Sequence, residues 1–189
     1  MNTQTIITYL IGLSGTGKYT IAKQIALHDY KIVDNHLINN PIFSLLDIDS
    51  ITPIPFAAWQ AIVPIRNAVF NFVAQEKTKN YLFTNELLEV GHDRVIYEKV
   101  KDLAIQRDSI FIPIKLLISS QERAKRITSL ERKNRFKLTI DTRYLDSHTD
   151  LITFDHPHMM TLDVTNLSAH EASEKIMQHV VGINSRGSS

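Results

Sequence analysis

The chain has 189 residues, 43% of them hydrophobic, a formal net charge of +1 and no cysteine. That length and apolar content support one good core and leave no room for a second large domain. The near-neutral balance gives no global pull toward nucleic acid or a membrane surface, and the lack of cysteine excludes disulfides and thiolate metal sites.

Met1-Asn2-Thr3-Gln4 carries no basic residue, and Gly12 interrupts the apolar run behind it too soon for a signal or membrane segment, so a cytoplasmic protein is expected. The β-branched run Thr5 to Ile11 reads as a buried strand. Directly after it, Gly12-Leu13-Ser14-Gly15-Thr16-Gly17-Lys18 has the spacing of a phosphate-cradling loop: Gly, four residues, Gly, Lys. Consecutive backbone N–H groups of such a loop converge on phosphates, while Lys18 reaches the β and γ groups. Ile21, Ala22, Ile25 and Ala26 follow at helical spacing, so a helix over Lys18 to His28 adds its positive end to the same anion site. Gly12, Ser14, Gly15, Thr16, Gly17, Lys18, Tyr19 and Thr20 are therefore the candidate nucleotide-binding residues.

Tyr19 stands where a Ser or Thr hydroxyl normally ligates Mg²⁺, and a phenol on a long rigid arm cannot replace that short group. Thr20 is placed to donate to the α-phosphate. Two outcomes stay open: Mg²⁺ held through water and carboxylates, or a site that binds nucleotide without efficient turnover.

The second strand, Tyr30 to Val33, ends at Asp34-Asn35-His36. In open α/β sheets ligands sit beyond the carboxyl ends of the strands, so Asp34 is a candidate to accept a substrate proton or to hold water on Mg²⁺, with His36 as a substrate contact. The competing reading makes Asp34 or Asn35 the cap of a helix over Leu37 to Leu46. In the next helical pattern, Phe56 to Lys77, Pro64 kinks the helix or starts a second one. Arg66 there sits among Ile62, Val63, Ile65, Val69 and Phe70 and needs a partner: an anionic substrate group, Asp34, Glu86, or solvent at the end of its stem. Phe56, Trp59, Phe70 and Phe72 read chiefly as core, with substrate wall and dimer surface as the other options.

The third strand, Tyr81 to Thr84, leads into Asn85 and Glu86 as substrate contacts, with Glu86 also a candidate on the metal side through water; a first-turn acid of a short helix is the plainer alternative. A helix over His92 to Arg107 and a strand over Ile110 to Ile118 follow. Between Gln121 and Arg143 eight basic residues stand against three acids. A basic segment there can close over phosphates, with Arg126, Arg132 and Arg135 as candidates for the transferring phosphoryl, or form a solvated helix face. His156-x-His158 has a metal-type spacing with no third ligand evident. After the fifth strand, Met159 to Val164, Thr165 and Asn166 lie where an adenine packs, and the absence of an Asn-Lys-x-Asp guanine-reading motif favours ATP over GTP. Ser168 and Glu171 form a capping box for a last helix whose stripe is Ala169, Ala172, Ile176 and Val180, with Gly182 as its stop.

Strands alternating with helices predict an α/β three-layer sandwich: a five-stranded parallel sheet with helices on both faces and a small lid. With the loop at the N-terminus, Asp34 after strand two, Arg66 on the third helical segment and arginines after strand four, the whole chain resembles the P-loop small-molecule kinases, among them shikimate, gluconate and nucleoside monophosphate kinases and chloramphenicol phosphotransferase. The resemblance implies a single domain over 1–182 with a substrate-binding helical region at about 36–78, a lid at about 121–146 and a tail at 183–189. It implies γ-phosphoryl transfer from ATP with Mg²⁺ to a hydroxyl or phosphate of a small molecule. Asp34 takes the position of the catalytic acid and Arg66 that of a substrate-anchoring arginine. No nucleic-acid or membrane partner is expected, and the protein is expected to be a monomer or homodimer.

Overall fold

The computed structural model describes residues 4–49, 52–89, 91–127 and 150–186. Five strands, β1 (Ile6–Gly12), β2 (Tyr30–Asp34), β3 (Asn80–Asn85), β4 (Ile110–Leu117) and β5 (Met160–Asp163), form one sheet in the order β2-β3-β1-β4-β5. Every pairing is parallel. β1 is central, flanked by β3 and β4, and all seven of its residues are buried, which is why its sequence is an unbroken apolar and β-branched run.

The helices are α1 (Lys18–Ile25), α2 (Asn35–Phe43), α3 (Phe56–Gln75), α4 (Asp93–Arg107), α5 (Ser120–Ile127) and α6 (Ala169–Arg186). Alternate residues of β1 feed two cores. Ile7, Tyr9 and Ile11 meet α2, α3 and α4 on one face, while Ile6 and Leu10 meet α1 and α6 on the other. Ile7, Leu10 and Ile11 have no accessible surface, and each such side chain contributes about 1.5–3 kcal/mol on burial. Tyr9 anchors an aromatic cluster, with Phe83 edge-on at 6.1 Å and Tyr97 stacked at 6.3 Å between ring centres. Arg107, buried at the end of α4, donates to the Val73 and Lys79 carbonyls and so ties the end of α3 to the start of β3.

Three expectations need correction. α6 does not stop at Gly182 but continues to Arg186, because Ile183 extends the Ile176 and Val180 stripe onto the core; that contact outweighs the roughly 1 kcal/mol cost of a glycine in a helix. The residues from 183 onward are thus helical as far as Arg186. Pro64 does not start a second helix, since α3 runs from Phe56 to Gln75; it faces solvent, as does Gln60, so water can donate to the Gln60 carbonyl in place of the N–H that Pro64 lacks. Phe56 and Phe72 are 75% and 63% exposed and so are not core, since α3 lies in an outer layer and buries only the stripe of Ala58, Ile62 and Val73. Phe70 does pack inward, edge-on to Phe83 at 5.6 Å.

The segment just before β5 also fastens to the sheet's carboxyl edge. Leu151 bridges Leu88, Ile152 donates its N–H to the Leu87 carbonyl at 3.0 Å, and Thr153 N–H is held by Glu89 at 2.6 Å.

Candidate active site

Register brings the candidate residues together. Asp34 pairs with Thr84, Ile11 with Asn85 and Gly12 with Leu116, so the turns after β1, β2, β3 and β4 all open at the carboxyl edge of the sheet. The glycine loop fills the centre of that edge. Gly15 and Gly17 have φ of +96° and +85°, a region that side chains rarely tolerate, and Gly17 caps α1 through its carbonyl, which accepts from Ile21 N–H at 3.0 Å. At Gly12 the constraint is space, since a Cβ would meet Thr16 Oγ1 at 3.0 Å and Leu116 Cβ at 3.1 Å.

Thr16 is fully buried, and its N–H and hydroxyl both donate to the Leu13 carbonyl, at 3.2 and 2.9 Å, closing the loop on itself. Lys18 is folded over the same turn, its ammonium donating to the Gly12 carbonyl at 2.6 Å and the Leu13 carbonyl at 2.9 Å. A turn of amides, a lysine and the start of a helix are the groups from which an anion site can be built.

Glu86 is not the first acid of a helix. Its carboxylate accepts from Ser14 N–H at 2.9 Å and from the Ser14 hydroxyl at 3.0 Å, clamping the tip of the loop to the end of β3. Glu86 therefore belongs with the loop, whereas Asn85 ends β3 as a buried side chain.

α5 lies across the other side of the loop. Arg123 donates to the Ser14 carbonyl at 3.0 Å, and its stem would be 3.2 Å from a Cβ at Gly15. Arg126 donates to Glu122 at 2.8 Å and to the Thr165 and Val164 carbonyls at 3.1 and 3.3 Å. That places Arg126 between the loop and the turn after β5. Glu122 is held below the usual carboxylate range, first by its hydrogen bond from Arg126. In the same turn, the Thr165 hydroxyl accepts from Ser119 N–H at 2.9 Å, while Asn166 is exposed. Arg123 was not among the expected site residues; its signal is the three-residue spacing to Arg126, which puts both on one helix face. Arg132 and Arg135 lie outside the described residues.

A second polar cluster is built on α2. Asp34 is only 3% exposed, and its oxygens accept from His36 N–H and from the Thr84 hydroxyl, each at 2.8 Å, so it caps α2 and fixes it to β3. The cap reading of Asp34 is realised in this geometry. The half-buried Arg66 reaches across from α3 to the side-chain carbonyls of Asn39 at 3.3 Å and Asn35 at 3.5 Å. Its Nε is buried without a partner, and no carboxylate lies within 4 Å among the described residues, so neither Asp34 nor Glu86 neutralises it. Burial works against its charge, opposed by Tyr9 and Asp93. Asn35 and Asn39, one helical turn apart, complete this polar patch. Asn39 carried no separate sequence signal.

The donor set does not fit a directly ligated Mg²⁺. Tyr19 is a half-buried ring with the Lys23 ammonium 5.5 Å from its centre and Thr20 is exposed, so no short hydroxyl stands at the ligand position, while Asp34 and Glu86, each holding hydrogen bonds within the protein, keep lone pairs that can accept from water. Among the described residues no group of three or more His, Cys, Asp or Glu side chains is arranged to hold a metal. Among the same residues no helix is long and apolar enough to cross a membrane.

A parallel sheet in this order, with a glycine-lysine loop after its central strand, is a fold this chain shares with solved structures of kinases. Among solved structures, one of a Chloroflexus aurantiacus protein, provisionally described as a kinase, superimposes with a TM-score of 0.65 at 14% identity, covering 96% of this chain and 98% of that one. A sugar kinase from Janibacter sp. HTCC2649 gives 0.59 at 14% identity over 93% and 94% of the two chains. A gluconokinase from Sinorhizobium meliloti 1021 gives 0.58 at 13% identity over 98% and 97%. No family model and no curated protein sequence matches the chain.

Proposed function

We propose that the protein is an ATP-dependent kinase that transfers the γ-phosphoryl group to a hydroxyl or phosphate of a small molecule. The observation that carries this reading is the closed Gly12–Lys18 turn at the carboxyl end of the central strand, with α1 below it and Arg123 and Arg126 of α5 across it. On this reading Lys18 exchanges the Gly12 and Leu13 carbonyls for phosphate oxygens, and Arg126 lies beside the adenine turn at Thr165 and Asn166. The Arg66, Asn35 and Asn39 patch takes the acceptor, and the cation calls for an acceptor with an anionic group.

Phosphoryl transfer needs chiefly positioning and charge stabilisation, because its transition state is loose. Asp34 then serves by holding α2, and with it His36, against β3. Mg²⁺ accompanies the nucleotide through phosphate and water, consistent with Tyr19 in the hydroxyl position. Tyr19 also supports a second reading, a nucleotide-binding module without efficient transfer.

The test is ADP formation from MgATP across a panel of sugars, hydroxy acids and nucleoside monophosphates, on the wild type and Lys18→Ala. Acceptor-dependent ADP lost in the variant is expected. No ADP above the variant's level, with ATP still bound, would leave the binding module instead.

A further inference from the structure

At the amino edge of the sheet a groove of about 300 Å³ opens between α4 and the segment leading into β5, lined in part by Lys101, Ile105, Ile110, Phe111, His156 and His158. Ile110 starts β4 opposite Ile6, whereas Gly12 ends β1 opposite Leu116, so the groove lies about 20 Å from the phosphate loop at strand rise. The volume is at the lower end for small-molecule sites.

Both imidazoles are oriented by their δ nitrogens. His158 Nδ1 lies 3.2 Å from the Phe111 carbonyl and must donate to it, while His156 Nδ1 accepts from His158 N–H at 3.2 Å. Because His156 Nδ1 accepts, the proton of that ring sits on Nε2, which is left to donate. Burial, then His158 and Lys101, shift His156 below its ordinary value, against the opposing charge of Asp155. His156 packs edge-on against Phe111 at 5.3 Å, giving the groove an aromatic wall, and Ile105 across it is 70% exposed. Among the described residues Lys101 is met by the half-exposed Glu98 at 3.4 Å. A cation, an imidazole N–H and an apolar wall in one groove suit an anion with an apolar body. They suit a metal less well, since no third ligand joins the two histidines among the described residues.

We propose that this groove is a second ligand site, for a small organic carboxylate whose charged end is held by Lys101 and His156 and whose apolar body covers Ile105 and Phe111. The proposal rests on the groove alone and stands or falls independently of the kinase reading. The experiment follows the histidine ring resonances of the full chain by NMR during separate titrations with benzoate, hexanoate, inorganic phosphate and Zn²⁺, on the wild type and Lys101→Ala. Lys101 is exposed enough for its loss to leave the fold intact, which the unchanged spectrum of the variant verifies. Saturable shifts of His156 and His158 with benzoate or hexanoate, a Kd on the order of 1 mM, and weakening of about tenfold or more in Lys101→Ala are expected. No saturable shift with either carboxylate, equal binding of inorganic phosphate, or tighter binding of Zn²⁺ would each overturn the proposal.

Discussion

Glu86 holds Ser14 by both carboxylate oxygens, one on its N–H at 2.9 Å and one on its hydroxyl at 3.0 Å, so the end of β3 fixes the tip of the loop that follows β1. Arg123 secures the Ser14 carbonyl from the opposite side at 3.0 Å. The loop is thereby preorganised from two neighbouring elements, which matters because a phosphate site gains from amides that need not be ordered on binding.

Removing the clamp should loosen the loop selectively. Hydrogen bonds to a charged group contribute about 1.5–3 kcal/mol, so Glu86→Ala is expected to speed amide exchange at Ser14 by about tenfold or more and to weaken ATP binding. Amide exchange read by NMR checks this. Unchanged exchange at Ser14 would mean that the carboxylate does not hold the loop.

Arg66 offers a separation of stability from function. Among the described residues its half-buried guanidinium meets two amide carbonyls and no carboxylate, so Arg66→Met replaces a poorly compensated charge with an apolar chain of similar length. Unchanged or raised thermal stability is expected, with ATP binding kept and acceptor-dependent ADP formation lost. Marked destabilisation would instead make Arg66 a structural group.

The capping box of α6 supplies a pH-dependent contribution. Glu171 accepts from the Ser168 hydroxyl at 2.7 Å and from its N–H at 2.8 Å, bonds that hold its carboxyl below the ordinary value of 4.5. A carboxylate whose value is lowered in the folded state stabilises above its unfolded value and loses that contribution as pH falls through the folded one. Ser168→Ala should therefore lower stability near neutrality, and lower it less on acidification below 4.5. Denaturant unfolding at a series of pH values measures the difference, and a cost independent of pH would contradict it.

Sequence patterning carried the sheet, the loop and most helix positions because each rests on local periodicity or on glycine geometry. The buried run of β1 and the capping box of α6 are local signals of that kind. What was not legible depends on contacts distant in the chain. Glu86 and Ser14 are 72 positions apart, and Arg123 and Ser14 are 109 apart. Nothing near Glu86 distinguishes a loop clamp from a helix acid. The tie of Asp34 to β3 was equally illegible, because Thr84, which donates to its second oxygen, lies 50 positions away. Gly182 misled for the opposite reason: a strong local stop signal was overridden by the burial of Ile183 one residue later.

The claim on which the account rests is that the Gly12–Lys18 turn binds nucleotide, and the most direct measurement is the thermal midpoint with and without ATP, in the wild type and Lys18→Ala. At a hundredfold excess over Kd a ligand adds about 2.7 kcal/mol, which for a chain of this size raises the midpoint by roughly 5–11 °C. A rise of that size with ATP, absent in Lys18→Ala, is the predicted result. No rise in the wild type, or an equal rise in both proteins, would contradict it.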